Sequence, residues 1–529
     1  MPTSSNYGVF DIIGPIMIGP SSSHTAGAVR IGLVSGQLCG FNPKAITVFF
    51  HGSLKSTYST HKTDAGVVAG VLGFPVDDDR IKCSIELARS SGIQVEFNGI
   101  ELKDAHPSTI IVKTMDAEGK ECVLRASTIG GGNIVIEEVD GIKLLLDGKQ
   151  NCIFGLTEAK DVELLKKEVL GLGNGNTVDF EKQQNGFMFK ICGGETVDPE
   201  AAQNIASLAY VRSVKFIKAV MPIVISSRHF YSTCKELMDI SVKNNCQMSD
   251  TIIQFEAECS GRSAEAVIDE MRQIYVAMRQ SIVKGNEKES ELLGNMFKGN
   301  AKRMDSFIKA GKSICGTTLS EVTRNALAVM EVNGSMGRIV ACPTAGSAGT
   351  MPATVITLAE KNSIPEEKAI KALFTGAGIG IIVAQNASIS GAVGGCQAEC
   401  GTASALSAAA LTEMFGGNCS MVLSSVALAL GNVMGMVCDP VAGMVEIPCI
   451  QRNVLAAANA IVSAEMALAG VDSVIPADEV IGAMDEVGKL MPVSLKDTLG
   501  AGLSNSPTAR RFQSQINKNG NALTTTATL

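Results

Sequence analysis

Tryptophan is absent from the 529 residues, aromatic side chains make up only 4%, and histidine occurs five times, at His24, His51, His61, His106 and His229. A chain so poor in large rings fills its interior with Ala, Gly, Met, Val and Ile, and its backbones pack close together. Excess basic charge is lacking too, since 45 Lys and Arg stand against 53 Asp and Glu, a formal charge of -8. That balance argues against nucleic acid or an anionic membrane surface as a partner. The opening stretch MPTSSNYGVFDIIG lacks the charged start and apolar run of a secretory leader, so a cytoplasmic location is expected. Ser420 to Val437 has about the ~18–20 residues of a membrane span. It holds Ser, Asn and Gly without basic or aromatic flanks, and reads as a helix buried inside protein.

What is present points to a large folded protein. At 46% apolar and 19% charged residues, the chain is long enough for roughly three or four domains of ~150 residues. Glycine is enriched, with 54 positions against a usual share of ~7%. Fifteen cysteines, an odd number scattered along the chain, do not match a disulfide framework. In a reducing compartment the remaining roles are burial, a reactive thiolate or metal ligation. With so few histidines a metal site would lean on thiolates, which favours zinc or an iron–sulfur cluster.

Three regions follow from the patterning, giving a multidomain fold. Residues 1–146 alternate β-rich stretches such as AITVFFHGS, GIQVEFNGI and STIIVKTM with a helical one, HTAGAVRIGLVSGQL, as expected of an α/β N-terminal domain. Residues 147–224 read as strand, helix, two hairpin strands, a helix opening on Pro199, and a final strand. This βαββαβ order is that of a ferredoxin-like sandwich and resembles an ACT domain, a small regulatory module that commonly binds an amino acid. From 225 to 529 helical periodicity dominates, as expected of an all-α C-terminal domain. The stretch from Arg510 onward is polar and unpatterned, so a loose tail is expected.

Several groupings could carry chemistry. In GPSSSHTAGAVRIG, Ser21, Ser22, Ser23 and Thr25 surround His24 just ahead of a helical pattern, where free N–H groups and hydroxyls suit a carboxylate or phosphate. An ordinary serine N-cap explains the same residues. In HGSLKSTYSTHKTDAG, either His51 or His61 could act as a general base, with Asp64 close behind to fix a tautomer. The Gly130 to Gly132 run is a glycine turn without the strand-turn-helix context of a nucleotide loop. ACPTAGSAGTMPA carries Cys342, Thr344 and Ser347, SGAVGGCQAECGTASA carries Cys396 and Cys400, and GMVCDPVAGMVEIPCIQRN carries Cys438 and Cys449. Cysteines on Gly/Pro-rich backbone are typical of cluster loops, yet ordinary buried cysteines fit this spacing equally well.

Taken together, GPIMIGPSSSHTAGA, HKTD, CPTAGSAG, GGCQAE and CDPVAGMVEIPCIQRN resemble the iron–sulfur-dependent L-serine dehydratases, in order from about residue 7 to 505. The resemblance implies a β domain, an ACT-like domain and an α domain fused in one chain, and a homodimer as the expected assembly. It implies Cys396, Cys438 and Cys449 as ligands of a [4Fe-4S] cluster whose fourth iron is open. Some relatives place a tail cysteine on that iron, but no cysteine follows Cys449 here.

On this reading the open iron acts on the hydroxyl of L-serine and His61, supported by Asp64, removes the α-proton. His24 with Ser21, Ser22, Ser23 and Thr25 holds the carboxylate, and Thr344 and Ser347 complete the clamp. No pyridoxal-type motif is evident. Two rival readings are a cysteine desulfidase using the same iron, and a non-catalytic amino-acid sensor built on the ACT-like unit.

Overall fold

A computed structural model describes residues 7–52, 54–158, 162–170, 176–183, 186–194, 196–222, 231–287 and 289–519. Strand β1 (Ile16–Ile18) stands apart from the first sheet, which holds β2 (Ala45–His51), β3 (Gln94–Ile100), β4 (Thr109–Met115), β5 (Glu121–Gly130), β6 (Asn133–Val139) and β7 (Ile142–Leu146). Their order is β3-β2-β4-β5-β6-β7, parallel only between β2 and β3. Alternation along β2 sends Ile46, Val48 and Phe50 to one face, where helices Gly27–Leu38 and Thr63–Val71 cover them with Ile31, Val34, Val67 and Val71. The β5–β6 turn needs its glycines, because Gly130, Gly131 and Gly132 all have positive φ (106°, 59° and 83°).

The second sheet holds β8 (Asn151–Thr157), β9 (Thr177–Gln183), β10 (Gly186–Gly193) and β11 (Val211–Ile217) in the order β11-β8-β10-β9, all antiparallel. Helices Val162–Leu170 and Pro199–Ala206 bury Leu165, Ala201 and Ile205 against Ile153, Phe189 and Ile191 on one face. Asp198 caps the latter helix by accepting from the Ala201 amide at 2.7 Å. The opposite face, with Phe154 and Met188, merges with the core of the first sheet. Against the expectation of free thiols, Cys152 and Cys192 form a disulfide, because the β8–β10 register sets them directly opposite each other.

Beyond residue 231 the fold is helical, as expected, and the anticipated junction near 224 lies outside the described residues. The stretch singled out at Ser420 forms the shorter helix Cys419–Asn432. Helix Glu366–Asn386 is long and apolar enough to cross a membrane by composition, but most of it is buried within the protein.

Three features depart from the local reading. A strand, β12 (Arg338–Val340), interrupts the helices and pairs antiparallel with β1, Ile16 opposite Val340 and Ile18 opposite Arg338. Three residues are too few to carry a period-2 signal. With that pairing, Val9, Phe10, Ile12, Ile13 and Met17 sink into the helical core. The stretch expected to be loose instead continues helix Pro507–Asn519, whose Phe512 and Ile516 pack against Val441, Ala442 and Met444. Residues 520–529 lie outside the described residues.

The N-terminal segment is also fixed by charge. Lys149, at the entrance to β8, reaches Asp11 at 2.6 Å, with only 2% and 4% of the two side chains exposed. Asp11 further accepts from the Gly8 amide at 2.9 Å. Removing one member of such a pair strands a buried charge, which costs about 3–5 kcal/mol. Lys149→Met should therefore lose stability of that order in urea unfolding, and Asp11→Asn combined with Lys149→Met should recover a substantial part. Equal losses in single and double variants would refute this role for the pair.

Candidate active site

Two buried histidines form the hub. Residues Ser22–Ala26 make one π-helical turn ahead of helix Gly27–Leu38, a distortion frequent at functional sites. It presents His24 so that Nδ1 lies 3.2 Å from the Ser21 hydroxyl and 3.0 Å from that of Ser23. The His24 ring meets His61 with centroids 4.5 Å apart. Thr25 donates its hydroxyl to the His61 carbonyl at 2.8 Å. His61 itself is 3% exposed, and neither ring nitrogen completes a hydrogen bond. Burial pushes its pKa below the usual imidazole value, while the Asp497 carboxylate and the Gly443 backbone pull the other way. His24 is pushed well below its usual value by burial and by His61. Both rings are thus held neutral.

Small residues bring the two rings together. Helix Thr63–Val71 starts directly after His61 and crosses helix Gly27–Leu38 at backbone contact. A Cβ on Gly70 would overlap the Val29 carbonyl oxygen, and one on Gly32 would overlap that of Val67. Gly66 completes the crossing, 2.9 Å from the Thr25 carbonyl if a Cβ were added. The low aromatic content and high glycine content of the sequence are realised here.

The three motif cysteines come from separate parts of the helical half. Cys396 leads into a second π-helical turn, Gln397–Gly401. Cys438 bridges to Lys496, its amide donating to the Leu495 carbonyl at 2.9 Å. Cys449 opens helix Cys449–Leu468. Burial raises the Cys438 and Cys449 thiols well above their usual range, and each also feels the Cys396 thiol and the acidic side chains of Glu399 and Asp497. Cys396 is lowered, chiefly by a hydrogen bond from Cys400.

No three His, Cys, Asp or Glu side chains among the described residues converge closely enough for a single metal ion. The donor set, thiols of which Cys396 and Cys438 share one buried cluster, is of the type that could hold an iron–sulfur group. Cys449, at the start of its helix, keeps partial exposure. Glycine at 391 lets Cys438 and Glu399 approach, since a Cβ there would stand 3.1 Å from Cys438 Sγ and 2.7 Å from Glu399 Oε2.

The two halves meet through the remaining expected residues. The Ala345 amide donates to the Ser22 hydroxyl at 3.3 Å, joining the His24 turn to the CPTAGSAG loop. In that loop Thr344 and Ser347 bond each other at 3.2 Å, and Ser347 donates to the Cys342 carbonyl at 2.9 Å. Ser347 therefore shapes its own turn.

Asp64 does not reach His61. It accepts from the Ala65 amide at 2.8 Å, and burial pushes its carboxyl up to about 6. The left-handed turn at Lys62 (φ 56°) separates it from the ring. His51 is likewise taken up locally, accepting from the Leu102 amide at 3.1 Å.

Four residues were not singled out from sequence. Asp497 is the carboxylate felt by His61. Glu399 lies beside the thiols, pushed up to about 8 by burial and neighbouring negative charge. Arg452 binds Asp439 at 2.9 Å and the Val437 carbonyl at 2.6 Å. Asn453 bonds the Gly346 and Cys449 carbonyls at 2.8 and 2.9 Å. Arg452 and Asn453 follow Cys449 by about one helical turn in the quoted motif, a spacing that was available as a signal. Asp497 lies far along the chain and offered none.

Adding a methyl group at the helix crossing tests its role. Overpacking costs about 1–3 kcal/mol, so Gly70→Ala should lose stability of that order and shift the imidazole NMR signals of both His24 and His61. Gly482→Ala, with open space around the added group, should do neither. Unmoved imidazole signals in a destabilised Gly70→Ala protein would separate the crossing from the site.

Comparisons with known proteins match both halves. The profile of the family described as serine dehydratase alpha chain covers residues 243–504, and that of serine dehydratase beta chain covers residues 8–139. A probable L-serine dehydratase alpha chain of Bacillus subtilis is 42% identical over 286 residues, 54% of this chain and 95% of that relative. The corresponding probable beta chain from the same organism is 47% identical over 145 residues, 27% of this chain and 66% of the relative. L-serine dehydratase TdcG of Escherichia coli aligns over 526 residues at 28% identity, covering 94% of this chain and 98% of its own length. The chain belongs to the serine dehydratase family of lyases, with the counterparts of its alpha and beta chains joined in one polypeptide.

Proposed function

We propose that the protein converts L-serine to pyruvate and ammonia at a composite site holding a [4Fe-4S] cluster on Cys396, Cys438 and Cys449. The observation that carries this reading is His61, whose two buried ring nitrogens complete no hydrogen bond of good geometry although Asp497 and the backbone of Gly443, between Cys438 and Cys449, act on the ring. A buried, unsatisfied group costs about 1–3 kcal/mol, a cost expected where a substrate completes the site. When bound, the cluster supplies an open iron with Lewis acidity toward the substrate hydroxyl.

The protein's own groups do the rest. Neutral at pH 7, His61 accepts the α-proton, and Asp497 stabilises the imidazolium that forms. Ser21, Ser22 and Ser23 with His24 hold the substrate carboxylate, while Thr25 fixes the base through the His61 carbonyl. Thr344 borders the substrate, and Ser347 keeps its loop in shape. Loss of the α-proton and hydroxide leaves aminoacrylate, whose imine tautomer takes up water to give pyruvate and ammonia. Asp64 supports the helix that follows His61. A cleft of about 480 Å³, lined by Ser59, Thr60, Lys62, Asn295, Met444 and Phe512, opens beside the chain neighbours of His61.

Residues 1–146 form the β domain of this scheme, 147–224 an ACT-like regulatory module and 225–529 the α domain. The β11-β8-β10-β9 order with both helices on one face supports a ferredoxin-like module.

Protein loaded with iron and sulfide under anaerobic conditions should be brown and release pyruvate from L-serine. Sulfide release from L-cysteine alone would favour the desulfidase reading, and binding of serine without turnover the sensor reading. Cys396→Ala, Cys438→Ala and Cys449→Ala should each lose the visible absorbance, whereas Cys342→Ala and Cys400→Ala should keep it. A colourless Cys400→Ala protein would reassign a ligand.

A further inference from the structure

Glu399 is a deep carboxyl group with no ion-pair partner among the described residues. It sits in the π-helical turn after Cys396, and unlike its neighbours Gln397, Ala398 and Cys400 it retains partial exposure. Its side chain lies beside the Cys438 thiol, since a Cβ added at Gly391 would stand 2.7 Å from Glu399 Oε2 and 3.1 Å from Cys438 Sγ. The carboxylate faces the Thr344 hydroxyl and the Gly391 backbone, and Gly346 is close enough that an added Cβ would stand 3.6 Å from Oε2. Among the described residues no Lys, Arg or His lies within ion-pair distance of it. Arg452 pairs with Asp439, bonds the Val437 carbonyl and acts on the Cys396 and Cys449 thiols, and it is not among the groups acting on Glu399. The charged or ionisable groups acting on Glu399 are the Cys396 thiol and the Asp497 carboxylate, both of the same sign.

With a thiol and a second carboxylate beside it and Arg452 turned to other partners, the Glu399 side chain is complementary to a cation. The substrate in the proposed reaction carries one, its α-ammonium. We infer that Glu399 receives that ammonium and makes the site selective for α-amino acids over the matching hydroxy acids. The inference rests on the proposed serine chemistry and deepens it. With the carboxylate held at residues 21–25, the hydroxyl directed to the thiols and the ammonium on Glu399, three attachment points fix one enantiomer with its α-proton toward His61. Glu399 is then a specificity residue that touches substrate.

Two unreactive probes separate the charge from the shape. L-alanine keeps the ammonium and lacks the leaving group, and L-lactate replaces the ammonium by hydroxyl. Binding of each to the anaerobic, loaded enzyme is measured by calorimetry for the unmodified protein and for Glu399→Gln, with visible absorbance confirming an intact site. A charge-assisted hydrogen bond corresponds to roughly ten- to hundredfold in affinity. The unmodified enzyme should therefore prefer L-alanine by about that factor. Glu399→Gln should abolish the preference by weakening L-alanine alone. An undiminished preference in the variant, or equal weakening of both probes, would overturn the inference. Pyruvate formation from L-serine by the unmodified enzyme is scored separately. If it is absent while Glu399→Gln still erases the preference, the reaction assignment fails and the ammonium site stands.

Discussion

The distance between the imidazoles and the thiols is set by a seam between two parts of the chain. Asn333, fully buried, donates from Nδ2 to the Pro20 carbonyl and to the Ala345 carbonyl, both at 3.1 Å. One side chain thus holds the segment leading to His24 and the loop leading toward Glu399. The β1–β12 pairing runs alongside, and Gly19 permits the approach because a Cβ there would overlap Asn333. Neither half contains both sets of groups. Positioning at this seam is therefore a condition for chemistry, since small misplacements of reacting groups cost large factors in rate.

On the N-terminal side of the seam, packing and electrostatics act on the same residues. The glycine crossing brings helices Gly27–Leu38 and Thr63–Val71 into backbone contact and so sets His24 against His61. Burial lowers both imidazoles, and His61 lowers His24 further, which favours the neutral state a general base requires. On the other side, burial raises the Cys438 and Cys449 thiols. A metal group that binds thiolate reverses this preference.

Much of this was legible in the sequence. The βαββαβ order of residues 151–217 matches the strands and helices found, because each element is long enough to show its period. The motif cysteines and both histidines were named before any geometry, and the structure brings the two imidazole rings into contact. What escaped was long-range. Asp64 looked like the partner of His61 because it is near in sequence, yet the carboxylate that His61 feels is Asp497. The β1–β12 pair is too short to be read, and the burial of residues 9–17 among helices depends on it. Helix Pro507–Asn519 was missed because its polar surface outweighs the apolar pair Phe512 and Ile516 that anchors it.

The central claim is that a base on one side of the seam serves a substrate held against thiols on the other. Its most direct measurement is the kcat of anaerobic, loaded His61→Ala protein at saturating L-serine, with visible absorbance recorded on the same sample. The account requires absorbance equal to that of the unmodified enzyme and a kcat lower by about a hundredfold or more. A near-normal kcat in folded His61→Ala protein with full absorbance would contradict it.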